Sequence, residues 1–228
     1  MPTILVPQGA ESAAVCRGLK RLTGKQPIVK PIPVGIHAVR EYLQQWSQTK
    51  DFEKEVKPGI LVLGLCGSLT QQHKVGDIVL YQDCVYQQQI RECSHTLNSY
   101  IQSKFNHQQS RVSVAKSLTS DRVICSATEK RYLGETMGVN VVDMEGFAVL
   151  EFFHKIAVEV AMLRVVSDDC DNDIPDITAA IKPDGSLKPL SLAVRFVRQP
   201  IAANHLIRGS LQGLKVLERV TELLFAQK

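Results

Sequence analysis

Glu11, Asp143, Glu145, Asp168 and Asp169 stand where apolar runs stop, and that placement gives them chemical interest. Glu11 follows the run at residues 3–6, Asp143 and Glu145 end the run at 139–144, and Asp168 with Asp169 follows 158–166. In an open α/β sheet, ligands collect beyond the carboxyl ends of the strands. A carboxylate there can accept hydrogen bonds from a sugar diol. A partly buried carboxylic acid can protonate a heteroatom as a glycosidic bond breaks. That cleavage passes through a cationic sugar, which an anionic face stabilises. Taken singly, each acid is equally well explained as a helix N-cap or first-turn residue, where the helix dipole favours negative charge. Glu145 and Asp168 together, on strand ends expected to be neighbours, favour the chemical reading. The turn Gly64-Leu65-Cys66-Gly67-Ser68 can add backbone N–H groups for an anion or a sugar oxygen.

The elements that must position these groups follow an α/β pattern, with short apolar runs rich in β-branched residues alternating with segments of helical period. Strands are expected at 3–6, 60–65, 78–81, 111–116, 139–144 and 158–166, and helices at 11–22, 34–46, 146–156 and 202–225. The run at 60–65 is apolar on both faces, marks a central strand, and is expected to end in a glycine turn at 66–68. Residues 139–166 read as a βαβ unit whose two strands run parallel, so their acidic ends share one edge of the sheet. Residues 86–109 are polar and are expected to be loop with one helix, and 171–189 a loop able to cover a site. The expected fold is a single α/β domain over residues 1–228, with a central mixed twisted sheet flanked by helices.

The 228 residues carry 27 Lys and Arg against 23 Asp and Glu, a net charge of +4 without a basic run, which disfavours nucleic-acid binding. With 44% apolar residues the chain can build a sizeable core. Cys16, Cys66, Cys84, Cys93, Cys125 and Cys170 form no CxxC pair and several lie in apolar runs, which points to reduced thiols in a cytoplasmic protein. No stretch reaches membrane-spanning length, so no stable membrane insertion is expected. Cys84, Cys93 and His95 lack zinc spacing, and no metal is expected. There is no GxxxxGK[ST], GxGxxG or GxSxG.

Gly9-Ala10-Glu11, Val34-Gly35-Ile36, Gly64-Leu65-Cys66-Gly67-Ser68-Leu69, Lys74-Val75-Gly76-Asp77-Ile78-Val79, Ser120-Asp121, Val142-Asp143-Met144-Glu145-Gly146 and Arg164-Val165-Val166-Ser167-Asp168 occur in an order and spacing that resembles the purine and uridine phosphorylase family, which also contains the methylthioadenosine/S-adenosylhomocysteine nucleosidases. The resemblance implies a nucleoside phosphorylase-like fold and a small-molecule nucleoside as partner. It implies that Asp168 meets N7 and the exocyclic group of a purine, that Glu145 binds the ribose hydroxyls and that Met144 packs beneath the sugar. Ser167, Gly67, Ser68, Cys66 and Ser120 join the substrate-binding set. Glu11 activates water if the chain is a nucleosidase, and helps hold phosphate if it is a phosphorylase. The family's homodimers and trimers of dimers imply a homo-oligomer, dimer or hexamer.

The chain departs from the phosphorylases where a phosphate-binding Arg and Ser are usual, since residues 60–65 are apolar throughout; Arg40, Arg17 and His37 are the candidate replacements. Lys182-Pro183-Asp184-Gly185-Ser186-Leu187 and the Pro200 segment resemble the hopanoid-associated phosphorylases, which implies a lipid-linked adenosine as a possible substrate, with residues 191–196 and 206–214 as apolar surface for its tail. The leading expectation is phosphorolysis of an adenine-type nucleoside to free base and a ribose 1-phosphate derivative, with inorganic phosphate as co-substrate and no other cofactor. The alternatives are hydrolysis by a nucleosidase and a non-catalytic nucleoside binder of the same fold.

Overall fold

The computed structural model describes residues 1–106, 111–180, 182, 185 and 189–226. In chain order the elements are β1 (Thr3–Pro7), α1 (Ala10–Lys20), β2 (Val29–Ile32), α2 (Ile36–Trp46), α3 (Phe52–Val56), β3 (Ile60–Ser68), β4 (Ile78–Tyr86), β5 (Gln89–Glu92), α4 (His95–Asn106), β6 (Val112–Thr119), α5 (Ala127–Met137), β7 (Val141–Asp143), α6 (Gly146–Lys155), β8 (Val160–Asp168), α7 (Pro189–Arg198) and α8 (Pro200–Phe225). The strands form one mixed sheet flanked by helices, the fold class expected from the sequence.

Five strands close on themselves. β3 runs parallel to β8, β8 antiparallel to β4, β4 parallel to β6, β6 parallel to β7, and β7 antiparallel to β3. β1 and β2 extend the sheet from β3 in parallel, and β5 folds back on β4 as a hairpin. One face of the ring, with Leu61, Leu63, Leu80, Leu163 and Val165, packs against α1, α4 and α8. The other, with Val62, Tyr81, Met162 and Val166, packs against α2 and α6. β3 and β8 are thus covered on both faces, which is why their sequences are nearly unbroken apolar runs.

The sequence reading of residues 139–166 as a parallel βαβ unit is corrected here. β7 and β8 are not neighbours: they flank β3 on opposite sides and run in opposite senses. A helix between two apolar runs implies parallel pairing only when those runs sit side by side, and here β3 lies between them. The acidic ends meet all the same, because Gly67 of β3 is paired with Val142 on one side and with Asp168 on the other.

The expected turn at 66–68 is a second correction. The strand continues through Ser68, with an irregularity between Cys66 and Gly67. Gly67 serves close approach and not a turn, since a Cβ there would lie 2.8 Å from the Asp168 carboxylate. Residues 86–106 contain β5 and α4 where mostly loop was expected, and α5 went unread. Residues 107–109 of the first stretch, and residues 183, 184, 186 and 187 of the Lys182–Leu187 resemblance, lie outside the described residues.

α8 presses on the site end of β8 from behind. A Cβ at Gly209 would stand 2.0 Å from the Ser167 carbonyl oxygen, a clash with backbone that cannot yield cheaply. Gly209→Ala gains about 1 kcal/mol of helix propensity but forces an overpacked contact costing about 1–3 kcal/mol. The expected outcome is a melting temperature lower by several degrees, given about 2–4 °C per kcal/mol for a chain of this size. A melting temperature at or above the parent's would show that the helix does not press on Ser167.

Candidate active site

The carboxylates gather at the end of the ring where β3 and β8 finish. Glu11 sits in the first turn of α1, entered through Gly9 at φ 96°, a left-handed conformation suited to glycine. Its Oε2 accepts the Leu65 backbone N–H at 2.6 Å. Burial pushes the Glu11 carboxyl up to about 7, against the pull of the Arg164 guanidinium and with a further push from Glu145. The backbone N–H of residue 65, a candidate anion donor in the sequence reading, is therefore committed to Glu11.

Glu145 occupies the residue before α6, makes no side-chain capping bond to that helix, and is buried. Its Oε1 accepts the Gly35 N–H at 3.1 Å, and Gly35 holds φ 97° to make that approach. Burial raises the Glu145 carboxyl above its ordinary range, opposed by Arg164 and reinforced by Asp143. Asp143 is fully used within the fold: Oδ1 accepts the Thr119 hydroxyl at 2.9 Å and the Gly146 N–H at 3.1 Å, and Oδ2 lies 3.2 Å from Arg164 Nη2. The same Nη2 stands 3.5 Å from Glu145 Oε2.

Arg164 is the hub of this cluster. Its side chain has no exposed surface, and Nε and Nη1 have no hydrogen-bond partner among the described residues. Gly64 of β3, its partner in the β3–β8 ladder, leaves room for it: a Cβ at Gly64 would lie 2.3 Å from Arg164 Nη1 and 2.5 Å from Glu11 Oε2. At the end of β8, Asp168 Oδ1 accepts the Ser167 hydroxyl at 2.8 Å, while Oδ2 pairs with the buried ammonium of Lys130. Lys130 also donates to the Asp169 carbonyl at 2.8 Å.

Glu11, Cys66, Gly67, Met144, Glu145 and Asp168 line one cavity of about 160 Å³, together with Asp143, Arg122, Val123, Ile124 and Ile174. Past Ile174 the surface opens into an acidic groove of about 660 Å³ with Asp171, Asp173, Asp176 and His205 on its walls. A separate apolar hollow of about 410 Å³, bordered by Pro58, Leu61, Leu97 and Leu224, lies at the opposite end of the strands and has no carboxylate.

The remaining sequence candidates lie behind or outside that lining. Ser167 is buried, with its hydroxyl 3.2 Å from the Cys66 carbonyl as well as on Asp168. Ser68 is buried and donates to the Thr70 carbonyl at 2.7 Å, closing the turn after β3. Ser120 accepts the Arg122 N–H at 3.3 Å. The proposed phosphate set does not converge. Arg17 is exposed and paired with Glu218 at 2.8 Å, Arg40 is paired with Glu151 at 2.9 Å, and His37 is exposed, 3.8 Å from Asp121.

Arg164 and Lys130 were not singled out from the sequence. Arg164 carried a usable signal: a charge in the middle of a strand covered on both faces demands a buried counter-charge. Lys130 carried none, since residues 127–137 have few apolar positions to mark a buried face.

The family described as the phosphorylase superfamily matches residues 54–185. No curated protein matches the chain. Among solved structures, futalosine hydrolase of Helicobacter pylori superimposes with a TM-score of 0.69 at 14% identity, covering 97% of this chain and 95% of that one. The 5′-methylthioadenosine/S-adenosylhomocysteine nucleosidase of the same organism, in complex with an aminopyrrolopyrimidine–pyrrolidinol ligand, gives 0.67 at 16% identity, over 96% of each chain. The nucleosidase of Campylobacter jejuni gives 0.63 at 12% identity, over 97% and 99%. At these identities the likeness is one of fold.

Two expectations follow from the buried charges. Arg164→Met leaves Asp143 and Glu145 without their counter-charge, so urea denaturation should show a loss of about 3–5 kcal/mol; a loss under about 1 kcal/mol would mean the arginine is not their partner. Glu11 has a folded-state value of about 7 against 4.5 ordinarily, so its contribution to stability is full below about 4.5 and is lost as pH rises through about 7. In Glu11→Gln that loss disappears. Between pH 4.5 and 8 the variant's stability relative to the parent should rise by up to about 3 kcal/mol, and parallel pH profiles would contradict the raised value.

Proposed function

This chain belongs to the phosphorylase superfamily, and on that premise we propose that it hydrolyses the N-glycosidic bond of a purine nucleoside. The observation that carries the reading is Glu11, a carboxylate held by the Leu65 N–H with its proton affinity raised to about 7, in one small cavity with Glu145, Met144 and Asp168. A base of that strength can take a proton from water at neutral pH and return it. The pairing of the cations around it favours water over phosphate as nucleophile. Glu11, Asp143, Glu145 and Asp168 border the cavity, and Arg164 and Lys130 are already paired within that set. A phosphate dianion would find each cation at the cavity already paired, Arg122 with Glu129, Arg164 with Asp143 and Glu145, and Lys130 with Asp168.

In this reading the nucleoside lies with its base at Asp168 and its sugar over Met144, with the sugar hydroxyls on Glu145. Glu11 takes a proton from the attacking water while the anionic floor stabilises the sugar cation. Val123, Ile124 and Ile174 supply apolar walls for a flat base. Two of the structural neighbours carry the name 5′-methylthioadenosine/S-adenosylhomocysteine nucleosidase and one that of a futalosine hydrolase, which supports a nucleoside substrate modified at its 5′ position. The groove beyond Ile174 offers room for one.

One observation favours the phosphorolytic alternative: Nε and Nη1 of Arg164, without a hydrogen-bond partner among the described residues, are donors that an anion could satisfy. A panel of adenosine, inosine, methylthioadenosine and S-adenosylhomocysteine, each with and without phosphate, separates the two. The expected result is base release that yields the free pentose at a rate independent of phosphate; strict phosphate dependence with a pentose 1-phosphate product would establish phosphorolysis. On the substrate that is cleaved, Glu11→Gln should lower kcat by at least about 100-fold with little change in KM. The kcat/KM of the parent should fall as pH drops below about 7, where Glu11 becomes protonated.

A further inference from the structure

Lys130 has no role in the chemistry above, yet its position is costly. It stands near the start of α5, and its side chain has no exposed surface. Withdrawing an ammonium from water costs several kcal/mol unless it is paired and hydrogen-bonded. Lys130 meets that demand with Asp168 Oδ2 and the Asp169 carbonyl. It thereby joins α5 to the end of β8, where Arg131 adds a bond of 2.6 Å to the Cys170 carbonyl and Asp173 accepts the Ala127 N–H at 2.7 Å.

The pairing sets a chemical problem. A carboxylate facing an ammonium is an acceptor, whereas a departing purine needs a proton. Asp168 Oδ1 is already taken up with Ser167, and Oδ2 with Lys130. The ammonium carries the nearest proton able to move, one hydrogen bond away. In a cavity that a bound base has cleared of water, moving it from nitrogen to oxygen converts a separated charge pair into two neutral groups, and low polarity favours that exchange.

Building on the hydrolytic reading, we propose that Lys130 is the positioning residue that makes Asp168 an acid, by fixing its Oδ2 and passing it a proton as the base leaves. The oxygen of water bonds to the anomeric carbon while its proton passes to Glu11. The carbon–nitrogen bond breaks and its electron pair stays with the purine. Lys130 passes a proton to Asp168 Oδ2 and Asp168 hands that proton to the purine nitrogen, which leaves Lys130 neutral and Asp168 a carboxylate. When the cavity opens, Glu11 releases its proton to solvent and Lys130 regains one through the Asp168 carboxylate. Nucleoside and water become base and pentose with no net proton.

The test uses the full-length protein and the purine nucleoside that the parent cleaves best. Lys130→Met should lower kcat by about 100-fold or more and leave KM within about threefold, because Lys130 acts on the departing base and not on binding. Asp168→Asn and the double variant Asp168→Asn/Lys130→Met should have equal kcat within about twofold, since a residue acting through Asp168 has nothing left to act on. The double variant leaves no charge unpaired, so it also serves if Lys130→Met alone fails to fold. Parental kcat in Lys130→Met, or a double variant slower than Asp168→Asn by tenfold, would overturn the proposal while leaving nucleoside hydrolysis intact. A parent that releases no base from any nucleoside would instead remove the hydrolytic reading, and this one with it.

Discussion

A guanidinium with no access to water has to be neutralised where it stands, and Arg164 imposes that condition on everything near the cavity. Asp143 and Glu145 converge on one of its nitrogens, and Asp143 is in turn fixed by Thr119 at the end of β6 and by Gly146 at the start of α6. The charge of one side chain thus ties β8, β6, β7 and α6 together. The glycine at position 64 follows from the same condition, because any side chain there would occupy the space of Arg164 and Glu11. A buried ion cluster of this kind contributes less to net stability than a hydrophobic replacement would. What it does provide is a fixed geometry, and a set of carboxylates whose proton affinity is raised by burial and restrained by one cation.

The closed ring of strands brings those carboxylates to one place despite mixed strand directions. β3 is the common member, with β8 along most of its length and β7 at its last two residues. Because the ends of β7 and β8 are both anchored to Gly67, Asp168 and the Asp143–Glu145 pair are brought together through a residue with no side chain to separate them. Lys130, on α5, then reaches Asp168 from outside the ring.

The sequence was most legible where a residue's type conflicted with its local setting. Acids ending apolar strands stand out, and Glu11, Glu145 and Asp168 do line one cavity. The alternation of strands and helices was equally plain, because β3 and β8 are apolar on both faces. Strand direction was not legible, since hydrophobic pattern carries no information about which strand lies between two others. The partners of surface-capable cations were hidden for a related reason. Arg17 is matched by Glu218 and Arg40 by Glu151, and only the folded chain brings such distant positions together. Lys130 shows the limit from the other side: its burial is decided by Asp168 and Asp169, not by neighbours in α5.

Ring closure also decides how the sheet meets its surroundings. Strands β3, β7, β6, β4 and β8 each have a neighbouring strand on both sides over at least part of their length, and the two end strands of the sheet are β2 and β5. Each is four residues long. β2 contains Pro31, which has no N–H to offer, flanked by Lys30, and β5 carries Arg91 and Glu92. Short strands, proline and charge are the features that make an edge a poor template for another chain. Both end strands are thereby poor starting points for edge-to-edge growth into aggregates, while Val194, Val197, Ile201 and Leu211 of α7 and α8 are apolar side chains exposed on helical faces.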